Sequence, residues 1–139
     1  MKNILVACAL LAFLLPSLAQ APTPSNHPLL GKWEWTRRVN NCTEVYNFKP
    51  DGTVPVISGT ERTENEYSVS LLPDEQGFYR LTMRITKHLG GRDCSDSGNP
   101  PNDKPFTNYV RFSPDYKQHI VCYERDPKQC FGPMRRVKQ

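Results

Sequence analysis

The stretch LLGKWEW, residues 29–35, carries both tryptophans of the chain, two residues apart. Side chains alternate along an extended strand, so this spacing puts both indole rings on the same face. Rings of this size need a deep apolar surface to pack against. We therefore expect this strand to help form the hydrophobic core. The glycine at position 31 permits a close approach of backbone or ring just before the first tryptophan.

Alternation of polar and apolar residues continues through most of the chain, and it is clearest at residues 78–87. Turn residues such as Pro-Asp-Gly at 50–52 separate the alternating segments, and no window of twelve residues fits an amphipathic helix. This pattern is typical of a meandering barrel or sandwich. We predict an all-β fold, an antiparallel meander closing into a barrel of about eight strands. The strands are expected at residues 32–39, 43–49, 53–58, 60–71, 78–87, 106–113, 118–124 and 134–137.

The same alternation identifies the side chains that should point inward. Pro55 has no amide hydrogen, so the third strand should be an edge, carry a bulge or break there. The large residues expected to form the core are Trp33, Trp35, Tyr46, Phe48, Val54, Val56, Tyr67, Val69, Leu71, Tyr79, Leu81, Met83, Ile85, Val110, Phe112 and Val121.

The first nineteen residues have the features of a signal peptide: a positive Lys2, an apolar run over residues 4–15 and a small-x-small site ending at Ala19. This predicts a secreted or periplasmic protein, cleaved after Ala19. The run is short for a bilayer and no second run follows, so we expect no stable membrane span. A bacterial lipoprotein box at residues 5–8, ending in Cys8, is the alternative.

Cleavage after residue 19 of the 139 leaves 120 residues, enough for one domain. Residues 20–28 contain three prolines, so we expect an extended or disordered leader in which His27 has no role. The barrel domain then spans residues 29–139. The formal net charge of +4 is mild and the basic residues are dispersed, which argues against a nucleic-acid partner.

Four cysteines remain after the predicted cleavage. An even number in an exported chain of this size predicts two disulfides. Three pairings are possible, and we favour Cys42–Cys94, which ties a long loop to the barrel, and Cys122–Cys130, which joins the ends of a short loop. A zinc site is the alternative, but the spacings are not C-x-x-C.

Several short motifs together resemble those of the lipocalins. Gly-Lys-Trp at residues 31–33 matches the family's G-x-W, and Thr-Asn-Tyr at 107–109 resembles its T-D-Y turn motif. Arg135 or Arg136 stands where the family has an arginine that packs over the tryptophan. The Tyr-x-Phe-x-x-Asp-Gly pattern at 46–52 resembles lipocalin-like domains of small bacterial exported proteins.

This resemblance implies a structural lock formed by Gly31, Trp33 and Arg135 or Arg136, because a guanidinium stacked on an indole stabilises barrel closure. The mature chain is shorter than a typical lipocalin and shows no clear helix before the last strand. The interior of an eight-stranded barrel either is filled by side chains or holds one small ligand.

No catalytic pattern stands out. His88 and His119 are the histidines beyond the leader, and neither is accompanied by a nucleophile-elbow motif. Loop 90–105 has no periodicity, as is typical of functional or mobile loops. It is rich in oxygen ligands that suit calcium, but its spacing matches no known calcium loop; these residues are Asp93, Ser95, Asp96, Ser97, Asn99 and Asp103. We expect no metal and no cofactor.

The leading hypothesis is a non-catalytic exported binding protein. It would hold a small apolar or amphipathic molecule at the open end, near Tyr67, Tyr79 and Met83. The alternative is a periplasmic protein-interaction module, such as an inhibitor or immunity protein, that uses the loop at residues 90–105. An enzyme would require His88 or His119 to line a pocket beside a carboxylate.

Overall fold

The computed structural model describes residues 22–96 and 103–138. In this part each strand pairs antiparallel with the next, and the last pairs with the first, which confirms the predicted all-β meander and its closure into a barrel. The strands are β1 (Gly31–Arg37), β2 (Cys42–Phe48), β3 (Val56–Ser58), β4 (Glu61–Val69), β5 (Tyr79–His88), β6 (Phe106–Phe112), β7 (Gln118–Cys122) and β8 (Cys130–Arg136).

Two strands, β3 and β8, begin three or more residues away from the predicted position, whereas the other six begin within one residue of it. β3 is broken at Pro55, which donates no ladder hydrogen bond, and Thr53 forms only an isolated bridge with Glu66. β8 begins at Cys130, four residues earlier than expected. Gly132 and Pro133 lie where the register between β7 and β8 shifts. Such an irregularity tolerates a residue without an amide hydrogen, so the strand continues past them.

The barrel has two distinct ends. We call the end that holds the turns at 49–55, 70–78 and 113–117 the closed end, because residues 22–30 cover it. The opposite, open end holds the turns at 38–41, 59–60 and 123–129 and the described parts of loop 90–105. Both disulfides, Cys42–Cys94 and Cys122–Cys130, tie the open end, and they are the two pairs favoured from the sequence.

The leader is folded onto the closed end. His27 and Leu29 are buried, and His27 Nε2 donates to the Ser70 carbonyl at 3.1 Å. The Thr23 amide donates to the Pro50 carbonyl at 3.0 Å. The expectation of an extended or disordered arm is therefore wrong for the described part of this segment. Its prolines prevent a helix, but turns between them bring apolar and polar groups back to the barrel.

The core fills the closed half of the barrel around Trp33, which is fully buried. Its Nε1 donates to the Leu29 carbonyl at 2.8 Å, so the indole nitrogen is satisfied. Leu71 was expected in this core but is 64 % exposed, because β4 ends at Val69 and the chain turns away. Among the large apolar side chains, Leu29, Phe78 and Met134 are buried although the alternation did not predict them.

Part of the sequence interpretation lies outside the described residues: the signal peptide at 1–19, the lipoprotein box ending at Cys8, and residues 97–102 of the long loop. Within residues 22–96 and 103–138, no helix has the length and apolar character needed to cross a bilayer. One short 3-10 turn, Pro127–Gln129, precedes β8.

Candidate functional site

A cavity of about 50 Å³ lies inside the barrel. Its lining comes from five of the strands, and the side chains are mostly aliphatic or aromatic, with an amide and an imidazole among them. Ligand sites in proteins typically combine a largely apolar wall with a few polar groups. The lining residues are Tyr46, Phe48, Leu81, Met83, Phe106, Asn108, His119, Val121, Phe131 and Met134.

His119 is the most deeply buried polar group of this lining, with 3 % of its surface exposed. Its ring lies edge-on to Trp33 at 4.3 Å and to Phe112 at 5.2 Å between centroids. Burial, assisted by the positive charge of Arg136, lowers the pKa of His119 to about 3. The imidazole is therefore neutral at neutral pH, with one nitrogen donating and the other accepting.

The Nδ1 atom of His119 is buried and has no hydrogen-bond partner among the described residues. Asn108 also lines the cavity, and its side-chain amide makes no hydrogen bond within the described part of the chain. Buried polar groups in native proteins almost always have a partner. Among the described residues, His119 Nδ1 is thus the buried side-chain atom left without a partner, whereas Asn108 is a partly buried polar side chain of the same wall.

Polar side chains form a rim at the open end, next to the cavity. The Tyr46 hydroxyl donates to Glu44 at 2.7 Å, and the pKa of Tyr46 is raised well above its usual value by burial and by the Glu44 charge. His88 Nδ1 lies 3.8 Å from a Glu61 oxygen. Burial and the nearby Asp93 charge raise the pKa of Glu61. The site therefore changes from apolar to polar toward solvent.

The structure separates the three residues expected to contact a ligand. Met83 lines the cavity. Tyr67 lies in the closed half, where its hydroxyl donates to the Lys49 carbonyl at 2.7 Å. Tyr79, at the start of β5, lies edge-on to His27 at 5.1 Å. Both tyrosines therefore belong to the filled, closed half rather than to the open end, because β4 ends and β5 begins there.

The lock at the closed end is made by Arg136. Its guanidinium lies 4.2 Å from the centre of the Trp33 ring and donates to the Leu30 and Pro28 carbonyls at 2.7 Å each. Gly31 has a φ of +105°, and a Cβ there would lie 3.1 Å from the Arg136 Nη1 atom. Arg135 instead lines an open groove between β1 and β8.

The Thr-Asn-Tyr motif at residues 107–109 is placed differently from the turn motif that it resembles. Residues 107–109 lie within β6 and pair with β5, so they do not form a turn. This departure weakens the resemblance to the lipocalins, although the glycine, tryptophan and arginine of the lock are together.

A catalytic histidine was expected to line a pocket beside a carboxylate, and each of the two histidines meets only one of these two conditions. His119 lines the cavity, but no carboxylate belongs to the described lining. His88 lies beside Glu61 but does not line this cavity. Within residues 22–96 and 103–138, no group of three or more His, Cys, Asp or Glu side chains is placed to hold a metal ion. The oxygen-rich loop is described only in part, since Ser97 and Asn99 fall outside the described residues.

Comparisons with known proteins identified no similar protein. A scan against protein-family models and searches of curated proteins and of solved structures found no match for this chain. The fold itself defines the class: a closed eight-stranded antiparallel β-barrel whose open end carries two disulfides. Disulfides of this kind are typical of oxidising, extracellular or periplasmic environments.

Sequence reasoning missed Asn108 and His119 as cavity residues, although the signal was present. Asn108 has the same parity as Val110 and Phe112, and His119 the same parity as Val121. A polar residue at an inward position of a strand is unusual in a half-buried sheet, so it identifies a candidate site.

Proposed function

We propose that this protein is a non-catalytic, exported binding protein of lipocalin-like type that takes a small apolar or amphipathic molecule through the open end of its barrel. The observation that carries the proposal is the cavity inside the barrel, which is lined mainly by apolar side chains with His119 and Asn108 as polar members. Concave, mostly apolar sites with a few polar groups are the usual form of small-molecule sites. The polar rim around Glu44 and Glu61 suits the solvent-facing part of an amphipathic ligand.

Two further features support the lipocalin-like and exported parts of the proposal. The barrel is an eight-stranded meander in which Arg136, the last residue of β8, stacks on the tryptophan of the first strand. The two disulfides fit an oxidising compartment, as does the predicted signal peptide ending at Ala19.

A binding role fits the site better than catalysis does. A general base needs a reacting group within hydrogen-bond reach and a partner that orients it. His119 faces apolar walls, and His88 is paired only loosely with Glu61, at 3.8 Å. The geometry therefore favours holding a molecule over transforming it.

Native mass spectrometry of the purified protein and titration with the apolar fluorophore N-phenyl-1-naphthylamine test this function. We expect saturable binding of one molecule per chain.

Leu81→Phe adds volume to the cavity wall and should weaken binding by about tenfold or more, because core side chains relax only partly around extra volume. Leu72→Phe is the matched control, since Leu72 is 78 % exposed outside the cavity. Absence of any bound species and of saturable fluorescence would refute the proposal.

A protein-interaction module remains the second candidate, and exposed apolar side chains favour it. Leu89 and Phe106 are both exposed and flank the long loop at the open end. Isolation of a partner in a stoichiometric complex that Leu89→Ser disrupts and Leu72→Ser preserves would support this function. A complex insensitive to Leu89→Ser would argue against it.

A further inference from the structure

We propose that the groove between β1 and β8 binds an extended, acidic peptide segment of a protein partner, which pairs with the open edge of β1 and places its carboxylates beside arginines. The groove has a volume of about 610 Å³ and lies between residues 34–39 and the first part of β8. This inference does not depend on the proposed function, because the groove lies outside the cavity and shares only Phe131 with its described lining.

The backbone of β1 has an open edge in this groove. β1 pairs with β2 along its whole length, but its pairing with β8 ends at Glu34. The Lys32 carbonyl accepts a hydrogen bond from the Val137 amide, so by alternation the backbone groups of Thr36 also point toward β8. These groups lie beyond the end of the ladder. The edge of a sheet in this condition is a template for pairing with another chain.

A proline explains why β8 does not complete this edge. Continuing the register of Glu34 and Arg135 by two residues would place Pro133 opposite Thr36. Proline has no amide hydrogen, so it gives the Thr36 carbonyl no ladder hydrogen bond. The neighbouring Gly132 has a φ of +122°, far from that of an extended strand. A peptide strand has the amide hydrogen that Pro133 lacks, and strand addition uses such hydrogen bonds for affinity.

The charges of the groove select an acidic segment. Arg37, Arg38 and Arg135 line it, and Glu34 is the one carboxylate of its described lining. Within residues 22–96 and 103–138, none of these arginines forms an ion pair. Guanidinium groups bind carboxylates through paired, charge-assisted hydrogen bonds. A second copy of this chain is a poor occupant, because it would bring like charges together.

Apolar side chains in the same groove select the residues between the carboxylates. The Trp35 and Phe131 rings, 5.0 Å apart between centroids, line the groove and are only partly buried. Val39, at the end of the groove, is 83 % exposed. Since the side chains of an extended peptide alternate in direction, a segment of alternating acidic and apolar residues can direct one set to the rings and the other to the arginines.

An octapeptide in which Glu and Val alternate, labelled with fluorescein, tests the inference on the intact, disulfide-bonded protein. We expect saturable binding by fluorescence anisotropy, and exchange of the Thr36 amide, measured by NMR, should slow by about tenfold or more. The same peptide with methylated backbone amides should bind about tenfold more weakly, because it keeps the carboxylates but cannot donate to a strand edge.

Charge reversal in the groove tests the role of the arginines. Arg38→Glu and Arg135→Glu should each raise the Kd of the peptide by about tenfold, because each turns an attraction into a repulsion. Arg80→Glu is the matched control. It makes the same change of charge on an exposed side chain of β5, which lies four strands from β1 around the barrel, and it should leave the Kd unchanged.

Several results would overturn the inference. Absence of saturable binding would show that the groove does not take the peptide, and equal affinity of the methylated peptide would show that the edge of β1 is not used. Equal effects of the reversals at Arg38, Arg135 and Arg80 would show that the groove arginines do not select the carboxylates. Equally tight binding of a single-stranded oligonucleotide, with the same dependence on the arginines, would show recognition of anions in general.

Discussion

Arg136 joins three parts of the closed end through one side chain. Its guanidinium stacks on Trp33 and donates to two carbonyls of the segment that precedes β1. Hydrogen bonds from a charged donor are stronger than neutral ones, and a cation over an indole adds to them. Since Arg136 also pairs with Trp33 in the β1–β8 ladder, its side chain reinforces the strand pair that closes the barrel.

Replacing Arg136 tests this role. Arg136→Ala removes the stacking and both hydrogen bonds, and we expect the free energy of unfolding to fall by about 2–4 kcal/mol. Arg135→Ala is the matched control, because Arg135 lies in the open groove, and we expect a change within about 0.5 kcal/mol. Urea denaturation followed by tryptophan fluorescence measures both. Equal effects of the two substitutions would contradict the assignment of the lock to Arg136.

His119 makes stability depend on pH. Its pKa is lowered from 6.5 to about 3 in the folded protein by burial, so below pH 6.5 the unfolded chain binds the proton more readily. Stability is therefore lost as the pH falls from 6.5 toward 3. Between pH 7 and pH 4 this group alone should remove about 3 kcal/mol of unfolding free energy.

His119→Phe isolates this contribution, because phenylalanine does not titrate. We expect the loss of stability between pH 7 and pH 4, measured by urea denaturation, to be smaller in the variant than in the original protein. His27 also has a pKa lowered by burial, but it is present in both proteins and cancels in the comparison. Identical pH dependences would show that His119 is protonated without unfolding.

At the scale of elements, the loops of the open end depend on the disulfides. The carbonyl of Cys94 accepts hydrogen bonds from Arg37 at 2.7 Å and from Asn40 at 2.8 Å. The disulfide from Cys42 to Cys94 therefore holds the part of the loop around Cys94 against the β1–β2 turn. The bond from Cys122 to Cys130 instead joins adjacent residues of the β7–β8 ladder.

The two disulfides should differ in their contributions to stability. Their partners are separated by 52 and by 8 residues, and the loop-entropy model assigns about 4 and about 2.5 kcal/mol to loops of these lengths. We expect Cys42→Ala/Cys94→Ala to lower the free energy of unfolding more than Cys122→Ala/Cys130→Ala does. Guanidinium denaturation of the two double variants measures this. The reverse order would indicate that native contacts, rather than chain entropy, dominate.

At the scale of the whole molecule, the barrel is closed unevenly. β1 and β8 are paired at Trp33–Arg136 and Glu34–Arg135, and nearer the open end they separate into a groove. The Trp35 and Phe131 rings, 5.0 Å apart, span this gap. The junction between β1 and β8, which we call the seam, is therefore held by backbone hydrogen bonds toward the closed end and by side chains toward the open end.

Hydrogen exchange should detect this seam. The Lys32 carbonyl accepts from Val137, so the backbone groups of Lys32, Glu34 and Thr36 face β8, while those of Trp35 face β2. The strand pairing ends at Glu34, so we expect the Thr36 amide to exchange about a hundredfold faster than that of Trp35. Amide exchange by NMR gives both rates. Equal protection would show that the seam is closed along its whole length.

The sequence by itself determined the fold class and the order of its strands, since alternation and turn residues are local signals that the barrel did not alter. It also indicated the disulfide pairs and the tryptophan that anchors the core. Only the tertiary structure decided which arginine covers Trp33, that His27 and Leu29 close one end, and that Asn108 and His119 share a cavity. These outcomes depend on where closure brings distant strands together, and a pattern of period two records the face of each residue but not its height in the barrel.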